Sequence, residues 1–371
     1  MYARSLYIHF PYCESKCHYC DFYSLGREHL TRDRKSAFFR ALEAEAWLQA
    51  PLLATELDTL YIGGGTPSLM SPDEIAGVLH PIRNKIKNTT EWTMEANPSS
   101  ISANSLGDCR KLGINRLSMG VQSLDSALLK MLGRIHSPEI ALSALETVFH
   151  SGIENVSVDL LCGVPGQTTA DLEKSLKQLT AFPIKHLSCY LLTLSPGNPL
   201  FGKLPTEDTQ LEHLLFVDRW LTAHGFEHYE ISNFAKPGWR SLHNLNYWMG
   251  EAYLALGPSA HSYDPLGGTC GRRWKNHSSV DTYCSKLLKN ESAQEWEEDL
   301  TPGQKEIERW MLALRLSDGF PVSWLDTSRR LELAAQLQKE GLLQPHPSVA
   351  DRLTLTPKGL ALSDEIISTL I

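Results

Sequence analysis

Leu6-Tyr-Ile-His-Phe10-Pro-Tyr-Cys13-Glu-Ser-Lys-Cys17-His-Tyr-Cys20 decides how this chain is read. A short apolar run with strand character empties into a loop holding three cysteines in C-x3-C-x2-C spacing. Thiolates are soft ligands, suited to zinc or to iron–sulfur clusters. A structural zinc site wants four ligands, usually as two pairs. The remaining cysteines (Cys109, Cys162, Cys189, Cys270, Cys284) are isolated, which leaves His18 as the fourth ligand of a zinc alternative. Ferredoxin-type clusters take four thiolates. Three would leave one iron open to another ligand.

Composition narrows the classes. The chain has 371 residues, 42% hydrophobic and 21% charged, as expected of a soluble globular protein with one large and one smaller unit. A formal net charge of −8 argues against nucleic acid as a partner. No apolar run approaches the roughly 20 residues of a membrane span, and Met1 to Phe10 does not read as a signal peptide. Eight cysteines, three of them clustered, suit a reducing compartment, so a cytoplasmic location is expected.

Strand and helix patterns alternate along the first half. Strand patterns at 57–62, 91–96, 115–119, 156–161 and 186–192 follow the first, each trailed by a helix pattern. Six strand–helix units argue for a parallel sheet. Periodicity leaves a doubly wound sheet and an open barrel equally available. Chemistry-bearing residues collect at the carboxyl ends of the strands, where barrel-like folds keep their sites. The cysteine loop ends the first strand, Gly63-Gly64-Gly65-Thr66-Pro67 the second, and Glu95-Ala-Asn-Pro98 the third. Gln122 follows the fourth, and Asp159 lies in the fifth. From 227 to about 295 the pattern turns irregular and aromatic-rich. From Thr301 a capping box, two helices, a short hairpin and a last helix follow. The expected divisions are 1–226, 227–295 and 296–371, the last resembling a winged-helix module whose acid-and-base mixture suits packing better than DNA.

The three-cysteine loop resembles that of the radical S-adenosylmethionine (SAM) proteins. The resemblance implies an α/β fold built on a partial (β/α)6 barrel, with a 4Fe–4S cluster on Cys13, Cys17 and Cys20. SAM would chelate the open iron. Glycine lets a backbone approach a ligand closely, and the glycine run (Gly64, Gly65, Thr66, Pro67) matches the one that meets SAM's methionine in that superfamily.

Tyr7-Ile-His-Phe-Pro11, Gly120-Val-Gln-Ser123, Leu132-Gly-Arg134 and Asp159-Leu-Leu-Cys-Gly-Val-Pro-Gly-Gln167 extend the match, in order, to oxygen-independent coproporphyrinogen III dehydrogenases and their relatives. By that resemblance Tyr7, Gly65 and Glu95 contact the cluster-bound SAM. Tyr19, Thr66, Gln122, Arg134 and Asp159 line a second SAM region. Two departures point away from the dehydrogenase itself. Its further cysteine, two positions after the third, is Phe22 here, and its long extension before the first strand has no counterpart ahead of Tyr7.

His243-Asn-Leu-Asn-Tyr-Trp248 resembles the heme-binding H-N-x-x-Y-W motif of HemW-type heme chaperones, with His261 a weaker candidate. Neutral imidazole can ligate heme iron axially, and aromatic faces suit a planar macrocycle. No C-x-x-C-H attachment site for c-type heme is present. The resemblance implies a protein that binds cluster, SAM and heme, delivers heme to apo-hemoproteins, and forms a homodimer when loaded with cluster. The rival expectation is an enzyme that decarboxylates coproporphyrinogen III. A winged-helix regulator with an iron–sulfur sensor is third, disfavoured by the negative charge.

Overall fold

A computed structural model describes residues 2–370. Strands β1 (Ser5–Phe10), β2 (Thr59–Gly64), β3 (Glu91–Ala96), β4 (Arg116–Gln122), β5 (Asn155–Cys162) and β6 (His186–Leu191) lie parallel and side by side in chain order. Helices α1 (Arg32–Gln49), α2 (Pro72–Leu79), α3 (Ala103–Leu112), α4 (Ser126–Met131), α5 (Pro138–His150) and α6 (Thr169–Thr180) lie in the crossovers, and α7 (Glu207–Ala223) follows β6. Parallel neighbours require such crossovers. Helix starts obey their caps: Ser71 and Glu74 close a capping box on α2, as Thr168 and Asp171 do on α6.

Period-two alternation sorts the side chains of this sheet. Leu6, Ile8, Phe10, Leu60, Ile62, Trp92, Met94, Leu117 and Val158 join one apolar core with the helices. The opposite face is polar. It carries Tyr7, Tyr61, Thr93, Glu95, Arg116, Ser118, Ser157, Asp159 and His186, which make contacts across neighbouring strands. A lumen lined this way forgoes the hydrophobic stabilisation of a filled barrel, about 25 cal/mol per Å2 of apolar surface. It offers hydrogen-bonding groups instead.

Residues 227–295 are more ordered than their irregular pattern implies. They extend the sheet at both margins, to twelve strands in all. The antiparallel pair β7 (Glu227–Glu230) and β8 (Asn233–Ala235) follows β6. At the other margin β9 (Tyr253–Leu256) pairs parallel with β1, and β10 (His261–Asp264), β11 (Arg272–Asn276) and β12 (Gln294–Asp299) continue antiparallel. The ends, β12 and β7, do not pair, so the barrel is open. The charged sequence of β12, Gln-Glu-Trp-Glu-Glu-Asp, suits an exposed edge, and that of β11 beside it, Arg-Arg-Trp-Lys-Asn, likewise hides the strand pattern. Between the margins, α8 (Leu242–Trp248) packs against the start of the sheet, and α9 (Val280–Leu287) packs on α1.

The chain ends in α10 (Pro302–Leu314), β13 (Phe320–Pro321), α11 (Ser328–Lys339), the hairpin β14 (Leu343–Pro345) and β15 (Arg352–Leu355), and α12 (Pro357–Ala361) with α13 (Ser363–Leu370). Its three strands form a separate sheet over a separate core that includes Trp310, Phe320, Leu353 and Ile366. No helix among the described residues is long and apolar enough to cross a membrane.

Candidate functional site

Backbone hydrogen bonds fix the cysteine loop where β1 and β2 end. Gly65 N–H donates to Phe10 O (2.7 Å) and Thr66 N–H to Tyr12 O (2.8 Å). Cys13 N–H donates to Leu25 O, and Leu25 N–H returns to Pro11 O. Glycine is required at two positions here. Gly64 has φ +113°, and a Cβ on Gly65 would stand 2.4 Å from Tyr12 O. The far side of the loop is tied down through His18. Its N–H reaches Leu132 O, its Nδ1 lies 3.1 Å from Met131 O, and its carbonyl accepts from Asn198.

The loop roofs a cavity of about 600 Å3 at the carboxyl ends of the strands. Cys13, Cys17 and Cys20 all line it. So do Tyr19, Gly64, Gly65, Thr66, Glu95, Gln122 and Asp159, drawn from several strand ends, and Arg134 from the segment after α4. Tyr7 lies apart from this lining, its hydroxyl 3.0 Å from His9 Nδ1, and Pro67 is buried at the start of a short turn. Gln122 adopts φ +67°, where the pairing of β4 with β5 shifts register.

Glu95 accepts from the Tyr61 hydroxyl (2.8 Å) and from Gly64 N–H (3.0 Å). Burial pushes its carboxyl up to about 7; the Tyr61 bond opposes that and the nearby Asp159 charge adds to it. Asp159 is raised too, mainly by burial, although Ser188 and Ser118 stabilise its ionised form. Arg134 spans the cavity: Nη1 lies 3.4 Å from Cys17 Sγ, while Nη2 donates to Asn97 Oδ1 (2.8 Å) and Gly120 O (2.5 Å). Its buried Nε–H has no partner. Burial raises the Cys13 and Cys20 thiols.

Three thiols, a guanidinium with a spare donor, and carboxylates that accept hydrogen bonds suit a metal cluster together with a zwitterionic, hydroxyl-bearing ligand. Among the described residues no three His, Cys, Asp or Glu side chains converge closely enough to hold one metal ion. The thiols surround a cavity instead. Thiolates are soft ligands for zinc or for an iron–sulfur cluster.

Two residues passed over in the sequence belong here. Tyr61 shares the inward face of β2 with the cavity residues of its neighbours, and Asn97 bridges Thr66 Oγ1 (3.1 Å) to Arg134. Asn97 sits inside Glu95-Ala-Asn-Pro98, and Tyr61 follows from alternation once the inward face is known. Phe22 is 73% exposed at the cavity mouth.

His243 lies at the opposite end of the lumen. Its helix docks on the amino ends of β2 and β3, where Glu91 accepts N–H groups from Leu242 and His243. The imidazole is buried (1% exposed), with Nδ1 2.7 Å from Thr59 Oγ1 and Nε2 2.8 Å from the Tyr247 hydroxyl. Burial lowers its pKa to about 3, so the ring is neutral. His261 is exposed on β10.

Residues 7–179 match the Radical SAM superfamily. The heme chaperone HemW of Mycobacterium tuberculosis is 34% identical over 376 residues, covering 99% of this chain and 94% of that relative. The chain belongs to the HemW family. HemW of Escherichia coli is 38% identical over 265 residues, 69% of each chain. Among solved structures, coproporphyrinogen III oxidase (HemN) of Escherichia coli superposes with a TM-score of 0.80 at 24% identity, over 99% of this chain and 89% of that one. HemW membership thus agrees with the family read from the H-N-x-x-Y-W hexapeptide, and the HemN likeness with the barrel.

Proposed function

We propose that this protein binds a 4Fe–4S cluster, SAM and heme, and delivers heme to apo-hemoproteins in the cytoplasm. The observation that carries this reading is the H-N-x-x-Y-W helix in a chain that aligns with heme chaperones over nearly its whole length. Cys13, Cys17 and Cys20 hold the cluster, which supplies electron transfer when bound. Gly64, Gly65 and Thr66 let SAM approach the backbone, Glu95 accepts its polar hydrogens, and Tyr7 supports that layer from beneath. Pro67 fixes the exit of the glycine turn.

His243 is the heme ligand in this reading. Its neutral ring needs no deprotonation, and to hold iron it would give up its hydrogen bond to the Tyr247 hydroxyl. Loading with cluster promotes pairing of two copies, which light scattering before and after reconstitution tests. Transfer is tested by mixing heme-loaded protein with an apo-hemoprotein and following the acceptor's Soret band after separation. Failure of the acceptor to gain heme contradicts the delivery role.

One observation favours a second reading. Gln122, Arg134 and Asp159, expected of a second SAM region, line the same cavity as the cysteines. An enzyme acting on coproporphyrinogen III would use it. Anaerobic turnover of that substrate by reconstituted, reduced protein decides between the two.

A further inference from the structure

A groove of about 900 Å3 opens at the amino ends of β3, β4 and β5, away from the cysteine loop. The turn that leads into α8 forms one wall. Arg83, Lys87, Arg110 and Arg240 line it, with Trp239 and Leu242 as apolar surface; Lys185 lies over one face of the Trp239 ring (5.2 Å), and Arg83 over Trp92 (5.9 Å). Arg240 is committed to Glu227 and Asp318. The other three donate only to main-chain carbonyls: Arg83 to Leu112 O (3.1 Å), Lys87 to Asn84 O (2.8 Å) and Arg110 to Ser151 O (3.1 Å). None is matched with a carboxylate among the described residues. The groove's acids are Glu91 and Glu154. Both Glu91 oxygens already accept the first amides of α8.

Basic residues at helix ends commonly serve the terminal carbonyls. That explains each position but leaves an excess of cations around one concavity, in a chain of net charge −8. Leu242, 51% exposed, adds apolar surface beside them. Cations around a partly apolar concavity recognise a flat hydrophobic body with carboxylates at its edge.

We infer that this groove seats the carboxylate edge of a planar dicarboxylate macrocycle, with Arg83, Lys87 and Arg110 on the carboxylates and Trp239 and Leu242 against the ring. The macrocycle is heme, and the inference rests on the heme-binding reading above. It adds a site outside the H-N-x-x-Y-W hexapeptide that selects the ligand by its propionates.

The test compares Soret titrations of wild type, Lys87→Glu and Lys87→Glu/Arg110→Glu with heme and with its propionate dimethyl ester. Lys87 makes only a local contact, so its single variant keeps the measurement meaningful if the double variant folds poorly. The single variant is expected to bind heme several-fold more weakly and the double variant about tenfold more weakly, with ester binding unchanged. Heme binding equal to wild type in both variants overturns the groove while leaving the heme reading intact. Equal affinity of wild type for heme and ester overturns it as well. Absence of saturable heme binding by wild type removes the heme reading and the groove together.

Discussion

His243 stacks on Tyr61, ring centroids 4.9 Å apart and planes 26° from parallel, and the Tyr61 hydroxyl donates to Glu95. One side chain therefore touches both the H-N-x-x-Y-W helix at the base of the lumen and the cavity at its top. Tyr61→Phe keeps the stack and deletes the hydrogen bond that favours ionised Glu95. We expect SAM affinity to fall about five- to tenfold, the equivalent of roughly 1 kcal/mol. Calorimetry on the reconstituted protein measures it. An unchanged affinity removes Tyr61 and Glu95 from SAM binding.

Gly65→Ala puts a methyl group against the Tyr12 backbone, which cannot yield without moving the start of the cysteine loop. Iron and sulfide retained after anaerobic reconstitution should drop well below wild type, in the same direction as for Cys17→Ala. Full retention in Gly65→Ala shows that the loop does not depend on that close approach.

Glu45 is a buried latch between α1 and the β9–β11 margin. It accepts from Gly257 N–H (2.8 Å), Asn276 Nδ2 (2.6 Å) and the Tyr283 hydroxyl (2.6 Å). Burial raises its carboxyl from its ordinary 4.5 to about 7, against those three bonds. The folded state therefore holds a proton that the unfolded state releases. Its share of stability is complete below about 4.5, falls as pH rises to about 7, and stays constant above. Glu45→Gln cannot titrate, so the wild-type-minus-variant difference in unfolding free energy should shrink from pH 5 to pH 7.5. A pH-independent difference refutes the raised carboxyl. Glu45→Ala leaves several buried donors without acceptors and should cost at least about 2 kcal/mol.

Tyr247→Phe frees His243 Nε2 of its hydroxyl partner while keeping an aromatic ring one helical turn away. If that hydroxyl competes with iron, the variant binds heme at least as tightly as wild type. Weaker binding by Tyr247→Phe means that the hydroxyl contributes to the heme site itself.

Much of this was legible in the sequence because the barrel's strands are apolar on one face and its helices carry strong caps. The cysteines, the glycine run, Glu95, Gln122 and Asp159 stand in motifs at strand ends, Arg134 in a stretch matched by resemblance, and the fold brings them to one cavity. The margins of the sheet were not legible. β8 has three residues, and β11 and the edge strand β12 are charged stretches whose composition reads as loop. Nor could the hexapeptide around His243 reveal which end of the barrel it covers. That depends on Glu91 and Thr59, far away in sequence, whose side chains receive α8.

Heme titration of anaerobically reconstituted protein, followed in the Soret band beside His243→Ala, is the most direct test. We expect saturable binding near one heme per chain in wild type, lost or spectrally altered in the variant. Absence of saturable binding by wild type contradicts the heme-delivery function, and equal binding with identical spectra removes His243 from the iron.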